Sequence, residues 1–244
     1  MNNENQRRSF LATCGLLMGM TVFKQSRQAM AADATSFQRS QLVDHSLQPL
    51  KLDSLETRRE YLFHYPFVST PCFLIDLGKP GNSSALETAS GESYQSADGL
   101  GALQSVVAFS AICAHRMTHP TRAVSFIGFR QEPTGFYNKE QDYVRQNDVI
   151  QCCSEQSVYD PAQGGRVLAG PAPQPLASIV LENDAEGNIY ATGVRGGMMF
   201  DDYFNKFGKR LVMEYQRLDV DALVSAQTEV VPMDEYTGKT IECG

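Results

Sequence analysis

Two short boxes constrain this chain more than any other feature. They are Cys113-Ala-His115 and, after 36 intervening residues, Cys152-Cys153-Ser154-Glu155. Thiolates and imidazoles are ligands for transition metals, and carboxylate oxygens suit harder, more oxidised ions. A centre that uses both boxes needs a fold that brings two loop tips together. The flanking residues supply strands for that purpose. Ser105-Val106-Val107-Ala108-Phe109-Ser110 runs directly into the first box, and Asp148-Val149-Ile150 leads into the second.

The same texture recurs along the chain. Pro71 to Leu77 reads as a strand closed by Gly78-Lys79-Pro80-Gly81, and Ala123 to Ile127 as another. Residues 177–181 and 189–192, with Gly187-Asn188 between them, predict a hairpin. Many short strands and few helical periods argue for an all-β fold. Residues 32–60 are polar with scattered leucines and predict an extended lead-in with one helical turn. Gly81 to Gly101 is rich in Ser and Gly and predicts a surface loop. The last residues, 215–244, carry no clear pattern and are expected either to wrap the domain or to be disordered.

The N-terminus has another character. Arg7-Arg8-Ser9-Phe10-Leu11 opens an apolar run to Val22 and Phe23, and the small-x-small site Ala29-Met30-Ala31 follows. A twin arginine, a short apolar region and such a site make a Tat-type export signal over residues 1–31, with cleavage expected after Ala31. The expected location is therefore the periplasm, or the periplasmic face of the inner membrane if the segment is retained. The formal net charge is −7, and about −10 once the basic first 31 residues are set aside. So acidic a surface is a poor match for nucleic acid, whose phosphates need clustered cations. It suits encounter with basic proteins such as c-type cytochromes.

Beyond Cys152 the chain reads Ser157-Val158-Tyr159-Asp160, Gly164-Gly165-Arg166-Val167 and Gly170-Pro171-Ala172-Pro173-Gln174-Pro175-Leu176. With the two boxes, this series resembles the Rieske iron–sulfur family over about residues 61–214. Tyr65-Pro66, Thr70-Pro71-Cys72 and Leu77-Gly78-Lys79-Pro80 bring it nearest to the arsenite oxidase small-subunit type. The resemblance implies an antiparallel β sandwich with a two-loop cluster-binding subdomain. It also implies a [2Fe–2S] cofactor, an electron-transfer role and a redox partner, either a molybdenum oxidoreductase large subunit or a c-type cytochrome. Such a cluster has two thiolates on one iron and two imidazoles on the other. Cys113 and Cys152 match the thiolates and His115 one imidazole. Ser157 and Tyr159 match residues that hydrogen-bond a bridging sulfide and a cysteine sulfur. Gly170, Pro171 and Pro173 belong to the proline loop that covers the cluster.

The chain departs from that family at three places. Glu155 stands where the second histidine belongs. Thr118 and Ser154 stand where many members carry two bridged cysteines. The interval between the boxes is long, implying an insertion within Thr121–Asp148. The fourth ligand is then Glu155, or a third thiolate from Cys153, with His119 a further candidate. Either of the first two exchanges a neutral imidazole for an anion and should lower the reduction potential. A bridge between Cys72 and Cys243 would pin the tail to the first strand; His45 and His64 are expected to serve packing or solvation. Two other functions remain open: a docking subunit that has lost its cluster, and a quinol-oxidising subunit on an uncleaved anchor. No residues remain for the separate iron domain of an oxygenase.

Overall fold

The computed structural model describes residues 34–243. The Tat-type segment over 1–31 lies outside the described residues, and no helix among them is long and apolar enough to cross a membrane. The first strands are β1 (Thr35–Val43), β2 (Glu60–His64), β3 (Pro71–Asp76), β4 (Ala85–Glu87), β5 (Ser93–Gln95) and β6 (Val106–Ser110). Then come β7 (Ile127–Arg130), β8 (Thr134–Tyr137), β9 (Tyr143–Gln146), β10 (Val149–Cys152), β11 (Ser157–Asp160) and β12 (Arg166–Ala169). The chain ends through β13 (Ser178–Asn183), β14 (Ile189–Arg195), helix α1 (Phe200–Tyr215), β15 (Gln227–Glu229), β16 (Val231–Pro232) and helix α2 (Met233–Tyr236).

The expected all-β class is what the structure has. Eight strands form one sheet in the order β15-β1-β14-β13-β6-β3-β2-β16, and four form a second in the order β12-β11-β10-β7. Pairing is antiparallel except between β1 and β15. The edge strands β15 and β16 are separated by Val230 alone, so the large sheet curls until its two edges meet.

Period-two alternation explains why β2, β3 and β6 read as continuous apolar runs. Phe63, Leu74, Val106 and Ala108 point into the curled sheet, where they meet Leu42, Ile179 and Ala191. Their neighbours Leu62, Phe73, Ile75, Val107 and Phe109 point the other way, against Ile127, Ile150, Tyr159 and Leu176 of the small sheet and the proline loop. Successive side chains on a strand face opposite sides, so strands buried on both faces must be apolar throughout. Asp148 ties the two sheets together at the start of β10. Its carboxylate, 6% exposed, meets Arg58 Nε at 2.9 Å and Lys79 Nζ at 2.8 Å.

Three expectations need correction. The lead-in over 32–60 and the tail over 215–244 lie inside the folded unit, because β1, β15 and β16 belong to the large sheet; the boundaries 61–214 are too narrow. The stretch Gly81 to Gly101 contains the hairpin β4–β5, held by the buried rings and chains of Leu86 and Tyr94. Helix α1 was not expected from the strand-rich texture. Yet Phe200, Tyr203, Phe204, Phe207 and Leu211 fall at helical spacing and pack its inner face.

Glu60, at the start of β2, turns its carboxylate toward the small sheet and accepts the Phe129 N–H at 2.8 Å. Burial pushes this carboxyl up to about 8, against the opposing pull of the Phe129 N–H and the Arg130 charge. The unfolded chain ionises the group near 4.5, whereas the fold keeps it protonated. Its contribution to stability is therefore full at low pH and is lost as pH rises toward 8, with a slope of up to about 1.4 kcal/mol per pH unit. Glu60→Gln should remove that slope from urea midpoints taken across the window.

Candidate metal centre

The first box follows β6 and closes as a tight loop. Cys113 N–H donates to the Thr118 carbonyl at 2.8 Å, and Met117 N–H donates to the Cys113 carbonyl at 2.8 Å. Met117 holds a left-handed φ of 60° to make that closure. The second box is the turn of the β10–β11 hairpin. Cys152 and Ser157 face each other in register, and Gln156, at φ 62°, turns the chain between them. One loop therefore belongs to the large sheet and the other to the small one.

Two pairs of side chains form where the two tips meet, one of thiols and one of an imidazole with a carboxylate. The Cys113 and Cys152 thiols are buried and unbridged. The nearby Cys152 thiol holds Cys113 down to about 6, and the Tyr159 hydroxyl and the N–H groups of His115 and Arg116 reinforce this against burial. Cys152 is correspondingly pushed up, by its bond to Cys113 and by burial. Further out, His115 Nδ1 lies 3.4 Å from a Glu155 carboxylate oxygen. The other carboxylate oxygen accepts from Arg116 Nε at 2.6 Å. His115 is 22% and Glu155 39% exposed, so this outer pair reaches solvent. Among the described residues, no three His, Cys, Asp or Glu side chains converge as one metal ion would require. They meet as two pairs.

The surrounding groups aim inward. Tyr159 Oη accepts the Ala114 N–H at 3.1 Å and lies 3.2 Å from Cys113 Sγ. Ser157 Oγ is buried with no hydrogen-bond partner, which is costly for a hydroxyl unless a further acceptor stands there. In the proline loop, Ala172, Gln174 and Leu176 are buried while Pro171 and Pro173 stay exposed. Gln174 pins that loop, accepting from Ala89 N–H at 2.9 Å and donating to the Gly197 carbonyl at 3.1 Å. Gln174 escaped the sequence reading as a site residue, since nothing near it signals two backbone partners 85 and 23 positions away.

Gly170, at φ 81°, begins the proline loop against the backbone of the second box. A Cβ there would stand 2.4 Å from the Gln156 carbonyl oxygen. Both the left-handed conformation and that contact demand glycine. Gly170→Ala should cost about 1–3 kcal/mol in chemical denaturation and displace the second box.

Two ligand candidates fall elsewhere. Cys153 is bridged to Cys243, so it offers no thiolate to the pair beside it. The bridge that Cys72 and Cys243 could have made does not form, because Cys72 is buried in β3 with its thiol donating to the Tyr65 carbonyl at 3.1 Å. His119 lies beneath α1, with edge-on contacts to Tyr203 and Phe207 and its Nδ1 2.9 Å from the Met117 carbonyl. Burial brings it down to about 4, so it is a neutral packing residue rather than the loop residue or ligand expected. His64, 2.9 Å from the Tyr215 hydroxyl, is likewise packed.

The site fits a two-iron, two-sulfide cluster in its inner half: two thiols side by side, one already favoured as thiolate, and an unpartnered hydroxyl next to them. Its outer half offers one imidazole and one carboxylate. No protein-family model matches the chain, and no curated protein matches it. Among solved structures it is similar to the soluble domain of the Rieske protein II (soxF) from Sulfolobus acidocaldarius. The identity is 26%, with a TM-score of 0.42, over 65% of this chain and 78% of that one.

Proposed function

We propose that this chain is an exported Rieske-type electron-transfer protein whose [2Fe–2S] cluster is held by Cys113 and Cys152 on one side and by His115 and Glu155 on the other. The observation that carries the reading is the arrival of these four side chains as two pairs from two loops, with the Ser157 hydroxyl left without a partner beside the thiol pair. When bound, the cluster supplies a one-electron acceptor and donor.

The chain's own residues do the rest. Tyr159 Oη, fixed by the Ala114 N–H, keeps its proton for Cys113 Sγ. Donors to sulfur disperse its negative charge and raise the potential. The Gly170 to Leu176 loop, pinned by Gln174, excludes water from one side. His115 and Glu155 form the exposed edge by which electrons reach a partner. A single titratable imidazole at that edge leaves a weak basis for taking up the quinol proton, so a protein partner is favoured. Its class is a c-type cytochrome or a molybdenum oxidoreductase large subunit, and the acidic surface favours a basic docking face.

Iron and acid-labile sulfide analysis of protein matured through its own export route, with electron paramagnetic resonance of the reduced form, tests the cluster. Two irons per chain and a rhombic signal are expected; iron at background overturns the reading. The Arg116–Glu155 ion pair, which gives the carboxylate at the fourth ligand position a protein partner, favours the second reading, a docking subunit without cluster. Replacing Arg7 and Arg8 together by lysine should leave the protein in the cytoplasm, and normal periplasmic amounts in cell fractions would dismiss the Tat assignment.

A further inference from the structure

The C-terminal strap runs alongside the second box and is bonded to it. The small sheet ends at β7, whose outer edge meets the Glu60 carboxylate at the Phe129 N–H. Just before β7, residues 122–126 are paired by the strap. Gly238 N–H donates to the Arg122 carbonyl at 2.8 Å, Ser125 N–H to Lys239 at 2.9 Å, and Ile241 N–H to Ser125 at 2.8 Å. Ser125 and Thr240 form a parallel bridge. Three residues after Thr240 the strap reaches the Cys153–Cys243 disulfide. Cys153 directly follows Cys152, and its own N–H donates to the Phe126 carbonyl at 2.6 Å. Arg130, from β7, closes the arrangement. One guanidinium nitrogen donates to the Ile241 carbonyl at 2.5 Å and lies 3.5 Å from Cys153 Sγ.

We infer that the strap over residues 238–243 is a positioning element of the metal centre: the Cys153–Cys243 bridge and Arg130 fix the Cys153–Gln156 turn, and through it the placement of Cys152 and Glu155 opposite Cys113 and His115. This rests on the ligand set proposed above. The turn has few other anchors. Ser154, Glu155 and Gln156 are exposed, so little packing restrains them. The first box, by contrast, is closed by its own backbone bonds and buttressed by Lys206 Nζ of α1 on the Arg116 carbonyl at 2.9 Å. The bridge also removes Cys153 as a rival thiol next to Cys152.

The test compares full-length wild-type protein with the Cys153→Ser/Cys243→Ser double variant, by amide hydrogen exchange and by electron paramagnetic resonance. Exchange is read without iron over residues 153–156, with β3 as the control. Exchange in β3, a core strand, reports the loss of global stability. The expected result is acceleration in the turn at least tenfold greater than in β3, with shifted or broadened g-values in the iron-loaded, reduced protein. Acceleration in the turn no greater than in β3 overturns the inference, as does a turn-specific acceleration with an unaltered spectrum. If the double variant fails to fold, the wild-type bridge is opened by a phosphine reductant on folded protein and the same readings are taken. A wild-type protein that binds no iron sinks the cluster reading alone, because the exchange comparison still decides whether the strap holds the turn.

Discussion

Glu155→His is expected to raise the reduction potential of the iron-loaded protein by on the order of 50–100 mV. The substitution trades a carboxylate for a neutral imidazole at the outer pair. A unit charge about 4 Å from the redox centre, at an effective dielectric of about 20, is worth about 4 kcal/mol. For a one-electron couple that is roughly 170 mV. The Glu155 side chain is 39% exposed, so water screens part of that effect. The variant should also gain a second coordinated imidazole and with it a steeper fall of potential with pH above neutrality. Protein-film voltammetry across pH reads both effects. Iron content and potential equal to wild type in Glu155→His and in Glu155→Gln would show that Glu155 is no ligand. Its partners would then be Arg116 and His115.

Loss of the Cys153–Cys243 bridge should lower global stability by up to about 4–5 kcal/mol. The bridge spans 90 residues, and the chain-entropy relation gives a loss of that size for a loop so long. Urea denaturation of the double serine variant, in parallel with wild type, measures it. The midpoint should fall, and the slope should rise as the unbridged denatured chain exposes more surface. A loss below about 1 kcal/mol would mean that the bridge does not close in the folded protein. Single replacement of Cys243 should be worse in oxidising conditions than the double variant, since it frees Cys153 beside the unbridged Cys113 and Cys152 pair.

Much of the site was legible in the chain. Cys113, His115, Cys152 and Glu155 are read from two boxes, and in the structure Cys113 lies by Cys152 and His115 by Glu155, as two pairs. Ser157 and Tyr159 were singled out beside them; Tyr159 touches Cys113 Sγ, and Ser157 lies opposite Cys152 with its hydroxyl free. These positions are legible because they are local. A hairpin turn fixes Cys152, Glu155 and Ser157 within six residues, and alternation on β11 places Ser157 and Tyr159 on one face. The all-β class was legible for the same reason, since period-two patterning is a property of each strand alone.

The sequence by itself thus determined the all-β class, the two loop tips with the strands β6 and β10 that lead into them, and the chemistry each tip offers. Tertiary structure decided what those tips lean on. The pairing of Cys153 with Cys243, the burial of His119 under α1, the Gln174 pins and the Asp148 clamp each join residues far apart in the chain. No periodicity or spacing encodes such partners, because a cysteine's neighbour across 90 residues is set by how the sheets pack. The six cysteines allowed several bridges. Only the course of the strap along residues 122–126 brings Cys243 to Cys153 and leaves the thiols of Cys113 and Cys152 free to face each other.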